Sequence, residues 1–194
     1  DNRTALEPFN QMAPGARPAA RTVRRFVREA QTVALGRVMP LLADRSFRIV
    51  VDLEQHADDA GVLYALGEYM GGMVLYVEDA ALQLCYNGFG ELTRLAPLAL
   101  PTGRQTVTLE FEALGRRRGR GRLLSSLGAE GPWCALAPTL MMGMHEGLAI
   151  DIDRRAPVDW ELFERRGSFA YSGTIVSVYI EAGVHAPDSP LASA

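Results

Sequence analysis

The sequence predicts an all-β fold: two antiparallel sheets packed face to face as a sandwich, preceded by an irregular or short-helical N-terminal segment. Three observations predict it. Side chains alternate with period two over "FRIVVDLEQ", "QTVTLEFEA" and "GTIVSVYIEA", the mark of half-buried strands. Clusters of Gly, Asn, Asp or Pro separate short apolar runs at the spacing of a sandwich. No helical pattern is interleaved between those runs, so antiparallel pairing follows, because parallel strands need long crossovers. At 194 residues, 48% hydrophobic and 22% charged, the chain suits one domain with a core of its own.

Residues 1–44 read as a connecting segment. The first twenty hold three prolines and little periodicity, which argues for irregular backbone. "ARTVRRFVREA" sets Val23, Phe26, Val27 and Ala30 at helical spacing between arginines, the pattern of one short amphipathic helix. The sandwich is expected over residues 45–182, with about ten strands. "FRIVVDLEQ" places Phe47, Ile49, Val51 and Leu53 on one face, and "QTVTLEFEA" does the same with Val107, Leu109 and Phe111. "GTIVSVYIEA" sets Ile175, Ser177 and Tyr179 against Val176, Val178 and Ile180. Between them lie "GVLYALG", "ELTRLAP", "GRLLSSLG", "GLAIDID" and the hairpin "GGMVLYVEDAALQLCYNGFG". In the hairpin Met73, Leu75 and Val77 face Ala80, Leu82 and Leu84, with Tyr76 and Tyr86 at the rim. Asp79 suits a tight turn, but Ala80 does not, since positive φ strains a residue with a Cβ; a wider turn is expected. Asn87-Gly88 reads as a second turn. The tail, 183–194, is small, polar and Pro-containing, hence expected to be disordered.

Composition bounds function. The formal charge is −3, which gives no electrostatic reason to bind nucleic acid or an anionic membrane. All 20 basic residues are Arg, a usage that points to a GC-rich bacterial genome. The one cationic run, Arg116, Arg117, Arg118, Arg120 and Arg122, has no interleaved aromatics and is broken by Gly119 and Gly121; it reads as a solvated loop between strands. The apolar window from Cys134 to Ile152 is interrupted by Pro138, His145 and Glu146, so no membrane span is expected. The chain opens on Asp1 without a charged and apolar leader pattern, as a piece of a longer polypeptide would. Cys85 and Cys134 have no CxxC or His-pair spacing, which argues against a disulfide framework or zinc and favours the cytoplasm.

Candidate chemistry is sparse. Asp52/Glu54, Glu110/Glu112 and Asp151/Asp153 each put two carboxylates on one strand face, as acid and base sit in some sandwich glycosidases. Solvated strand faces have the same pattern, and no aromatic cluster surrounds these pairs. Asp151 and Asp153 are too few for calcium. His56, His145 and His185 are scattered, with no nucleophile motif beside them. "PTLMMGMHEG" gathers methionines that suit either a core filler or a plastic contact surface.

The order of "RSFRIVVDLE", "GVLYALGEYMGGMVLYVEDAALQLCYNGFG", "TVTLEFEALG", "EGLAIDIDRRAPV" and "FAYSGTIVSVYIE" resembles the C-terminal region of bacterial arylsulfatases, of the sulfatase class related to alkaline phosphatase, over most of residues 45–181. Ala80, Gly88, Ala149 and Asp151 depart from that pattern. The resemblance implies an accessory sandwich that packs on an upstream catalytic domain of the same polypeptide. That domain would carry the formylglycine, made from a C-x-P/A-x-R cysteine, and the calcium. Cys85 ("CYNGF") and Cys134 ("CALAP") do not fit the motif, so the resemblance implies no catalytic, cofactor or metal residues here and no enzyme activity of this chain alone. An apolar face left uncovered, carrying the methionines, would also allow self-association. The alternatives are a carbohydrate-binding module, since such hairpins also occur in laminin-G-like and concanavalin-type (legume-lectin) jelly rolls, and a free-standing sandwich glycosidase.

Overall fold

The alternation in "FRIVVDLEQ" becomes the middle of one sheet. The computed structural model describes residues 22–26, 32–137, 145–190 and 192. Its strands are β1 (Thr22–Phe26), β2 (Thr32–Val33), β3 (Arg45–Gln55), β4 (Gly61–Glu68), β5 (Gly71–Glu78), β6 (Ala81–Gly88), β7 (Glu91–Arg94), β8 (Leu98–Ala99), β9 (Gly103–Gly115), β10 (Arg118–Ser125), β11 (Cys134–Leu136), β12 (Leu148–Ile150) and β13 (Thr174–His185). Among the described residues two short helices join them, α1 (Leu35–Leu42) and α2 (Trp160–Arg166). The first sheet runs β1-β13-β3-β9-β10-β11; the second runs β2-β12-β4-β5-β6-β7, with β8 also on the β6 edge. The strands pair antiparallel throughout both sheets.

The inner faces are the ones the alternation names. Phe47, Ile49 and Val51 pair with Phe111, Leu109 and Val107 across β3 and β9, and all six are at most 3% exposed. Facing them, Tyr64, Met73, Leu75, Val77, Leu82 and Leu84 complete one continuous core. Each aliphatic side chain buried this way contributes about 1.5–3 kcal/mol. Among the described residues no helix is long and apolar enough to cross a membrane.

Several expectations are corrected. The described residues before 45 belong to the fold: residues 22–26 form a strand against β13, with Thr22 opposite Ala182, where a helix was expected; Val27 and Ala30 of that expected helix lie outside the described residues. β2 pairs with β12, and α1 buries Val38, Leu41 and Leu42. At the other end β13 continues to His185, and Ala186 is buried, so the sheet runs past residue 182 into the expected tail. The β5–β6 turn is a tight two-residue one: Asp79 and Ala80 both take positive φ, 53° and 54°, and Leu100 N donates to Ala80 O at 2.9 Å, which helps hold the strained pair. Asn87-Gly88 ends β6, and Phe89-Gly90 makes the next turn, because Gly90 supplies the residue free of strain one step later. Tyr76 and Tyr86 are buried rather than at the rim. In β13 a register shift between Ile175 and Ser177 leaves Val176 as an extra residue, so Ile175, Val178 and Ile180 share the core face. The arginine run is strand from Arg118 onward. Gly119 and Gly121 point into the core, where an added Cβ would meet the Phe111 ring at 2.4 Å and Leu136 Cδ1 at 2.7 Å.

Candidate functional site

The two outer faces differ in what covers them. Over the second sheet, Val62, Val74, Tyr76 and Cys85 lie beneath Val158 and Leu162 of the α2 region. Asp159 caps α2 by accepting from Leu162 N at 3.1 Å and takes two 2.9 Å bonds from Arg94 Nη2 on β7. At the far end Arg165 and Arg166 donate to Glu78 at 3.1 and 2.8 Å. Burial, with Asp159 nearby, pushes the Cys85 thiol up, so this cysteine is inert. That face is closed.

The outer face of the first sheet carries a row of alternating charge. Strand pairing puts Glu181 opposite Arg48, Arg48 opposite Glu110, and Glu110 opposite Arg122. Arg48 Nε and Nη2 donate to Glu110 Oε1 at 3.0 and 2.5 Å, and Arg122 Nε donates to Glu110 Oε2 at 2.8 Å. Burial pushes the Glu110 carboxyl up, but the two guanidinium groups outweigh it and hold it below the ordinary carboxylate range. Arg122 Nη1 reaches Glu130 at 3.1 Å, and Arg120 pairs with Glu112 at 2.6 Å. Trp133 lies against both arginines, whose guanidinium carbons stand 4.4 and 4.6 Å from its ring centre. At one end of the row is an open groove of about 370 Å³, lined among others by Ser46, Arg48, Glu110, Glu181, Gly183 and Val184, a volume in the range of small-ligand sites.

A buried arginine fixes the groove from below. Arg45, 2% exposed, donates from Nε and Nη2 to Gly183 O at 3.0 and 2.6 Å and from Nη1 to Pro40 O at 3.2 Å. Position 183 must be glycine, since a Cβ there would come within 2.8 Å of Ser46 O. The groove therefore presents planar donors from Arg48 between the acceptors of Glu110 and Glu181, with strand spacing of about 4.8 Å setting the steps. Hydroxyl groups fit such an array. Glu110, held ionised, is suited to accepting hydrogen bonds and unsuited to giving up a proton.

The carboxylate pairs separate accordingly. Asp52 accepts from Thr106 Oγ1 and Ser177 Oγ, each at 2.8 Å, while Glu110 and Glu112 are bound by arginines. Asp151 and Asp153 lie past β12; Asp153 Oδ2 accepts from Val158 N at 2.8 Å. His56 is bound to Asp59 Oδ2 at 2.9 Å, and the other oxygen of that carboxylate accepts from Ser172 Oγ at 3.2 Å; His145 is bound to Glu68 at 2.6 Å. No cluster of three or more metal-ligating side chains occurs among the described residues. The methionines of "PTLMMGMHEG" fall outside the described residues. Sequence reasoning missed Trp133, Glu181 and the groove; the R-G-R-G-R alternation was the available signal for the outward arginines.

No family model and no curated protein matches the chain. Among solved structures, the CBM40 module of the Ruminococcus gnavus IT-sialidase is similar at a TM-score of 0.52 and 12% identity, over 89% of this chain and 97% of that one. The leech intramolecular trans-sialidase is similar at 0.50 and 12% identity, over 90% of this chain and 27% of that one. Domains LG4-5 of the mouse laminin alpha1 chain give 0.47 and 16% identity, over 89% of this chain and 44% of that one. The chain is thus a two-sheet antiparallel β-sandwich of the jelly-roll kind, the fold of the similar R. gnavus module.

Proposed function

We propose that this chain is a carbohydrate-binding sandwich module and that the groove around Arg48 is its sugar site. The observation that carries the reading is the Glu181–Arg48–Glu110–Arg122 row on the outer face of the first sheet, an array of fixed donors and acceptors beside a partly exposed tryptophan. The fold supports it: the similar R. gnavus module is a structure solved with sialyllactose bound. Screening the full chain against a panel of neutral and acidic glycans is the test, with retention of one class expected. Arg48→Ala is expected to weaken that retention about ten-fold or more. Because Arg48 is half exposed, its surface pairing contributes little to stability, and the variant should melt close to the parent. Retention of no glycan, or full retention by Arg48→Ala, sinks the proposal.

A second reading keeps the sulfatase expectation. It is supported by the order of the quoted motifs, which fall in sequence on β3, β4 to β6, β9, the β12 region and β13. On that reading the module is appended to an upstream arylsulfatase domain, and the chain alone should leave an aryl sulfate unhydrolysed; turnover by the purified chain would end it.

A further inference from the structure

The second sheet ends in two neighbouring turns that carry large exposed side chains: Tyr69 at 54%, Met70 at 42% and Phe89 at 52% exposure. We infer that these form a second sugar-contact platform, separate from the groove, which takes the apolar C–H face of a neutral pyranose. The inference rests on the carbohydrate-binding reading above.

The platform is built. Asn87, 1% exposed, donates from Nδ2 to Tyr69 O at 2.9 Å and Val158 O at 3.0 Å, and its Oδ1 accepts from Gly90 N at 2.8 Å. One buried amide thus fixes both turns relative to each other, and preorganisation of that kind lowers the cost of binding. Phe89 is unexplained by the fold. It has φ 58°, a left-handed conformation that is an outlier for a bulky residue, in a two-residue turn between Gly88 and Glu91 where Asn or Gly is preferred. Its half-exposed ring recovers little burial in return. Strain of this kind without packing gain accumulates where a side chain serves a ligand.

Charge selects the occupant. The charged residues flanking these turns in the chain are Glu68, bound to His145 Nδ1 at 2.6 Å, and Glu91, which is exposed. Carboxylates repel phosphate headgroups and acidic sugars, and they accept hydrogen bonds from hydroxyls. Aromatic faces are the negative side of the ring quadrupole and attract the weakly positive C–H face of a sugar. A neutral sugar satisfies both.

The test titrates the full chain with neutral cello-, malto-, xylo- and galacto-oligosaccharides while backbone amide resonances are followed. At least one series is expected to shift residues 69–71 and 88–91, in the parent and in Arg48→Ala alike. Tyr69→Ala and Phe89→Gly should each weaken that response about ten-fold, with Phe89→Gly melting at or above the parent temperature. Glycan shifts confined to the groove and lost in Arg48→Ala overturn this inference but leave the carbohydrate reading standing. A chain that binds no glycan overturns both. Turn variants that alter only sedimentation, or only retention on phosphatidylcholine vesicles, overturn the inference in favour of a second copy or a lipid surface.

Discussion

The Tyr64 hydroxyl sits inside the core with no hydrogen-bond partner among the described residues, and burial pushes its pKa up. An unmade bond of this kind costs more than the oxygen is worth. Tyr64→Phe is therefore expected to raise the denaturant midpoint, by about 1 kcal/mol of stability; a clear loss would mean that the hydroxyl is paired. Asp153 is under strain of another kind. Burial pushes its carboxyl up to about 7, with Glu146 and Asp159 adding to the effect against the Val158 N–H. The folded chain then holds this proton more tightly than the unfolded chain does. That contribution is full below the unfolded value of about 4 and is lost as pH rises to about 7. Asp153→Asn keeps an acceptor for Val158 and has no charge to bury. It should exceed the parent in stability at pH 8 by on the order of 2 kcal/mol and lose the advantage toward pH 4. Glu110, held low, gives the parent an opposite slope at acid pH, so the difference between the two proteins across a pH series of melts is the quantity to follow.

At the level of elements, β10 is the strand on which sequence and structure instruct each other most. Its glycines alternate with arginines because the Phe111 ring, stacked on Phe47 with centroids 4.8 Å apart, fills the space a Cβ at 119 would need. Gly119→Ala should cost about 1–3 kcal/mol by overpacking, seen as a lower denaturant midpoint at unchanged slope. The strands that alternate apolar with polar, β3 and β9, were legible because one face is wet. β13 was legible as a strand but misread in phase, since the extra residue at Val176 leaves no mark in composition. "TVRRFV" satisfies helical and strand spacing about equally, and only pairing with β13 decides it. α2 escaped notice because "DWELFERR" is shorter than the window in which a helical period can be recognised, although Asp159 before it was an available cap signal.

At the level of the whole molecule, neither the groove nor the charge row could be read from the sequence, because each joins residues that meet only through long-range pairing. Glu181, Arg48, Glu110 and Arg122 become neighbours only once β13, β3, β9 and β10 have found their registers. The same topology orders folding. β4, β5 and β6 pair through two-residue turns, whereas β13 pairs with strand residues far upstream, Ser177 reaching Asp52 across 125 positions. Closing so long a loop is entropically costly, so the meander should form early and β13 should dock late, with refolding in the millisecond-to-second range of β-sandwiches. Leu75 on β5 and Ile180 on β13 are both fully buried, and truncating either to alanine should cost about 2–5 kcal/mol. The two losses should divide differently between the rates. Leu75→Ala is expected chiefly to slow refolding and Ile180→Ala chiefly to speed unfolding. Stopped-flow folding and unfolding limbs for the two variants check this; a refolding rate reduced more by Ile180→Ala than by Leu75→Ala would reverse the order of assembly and make the long-range strand the nucleus.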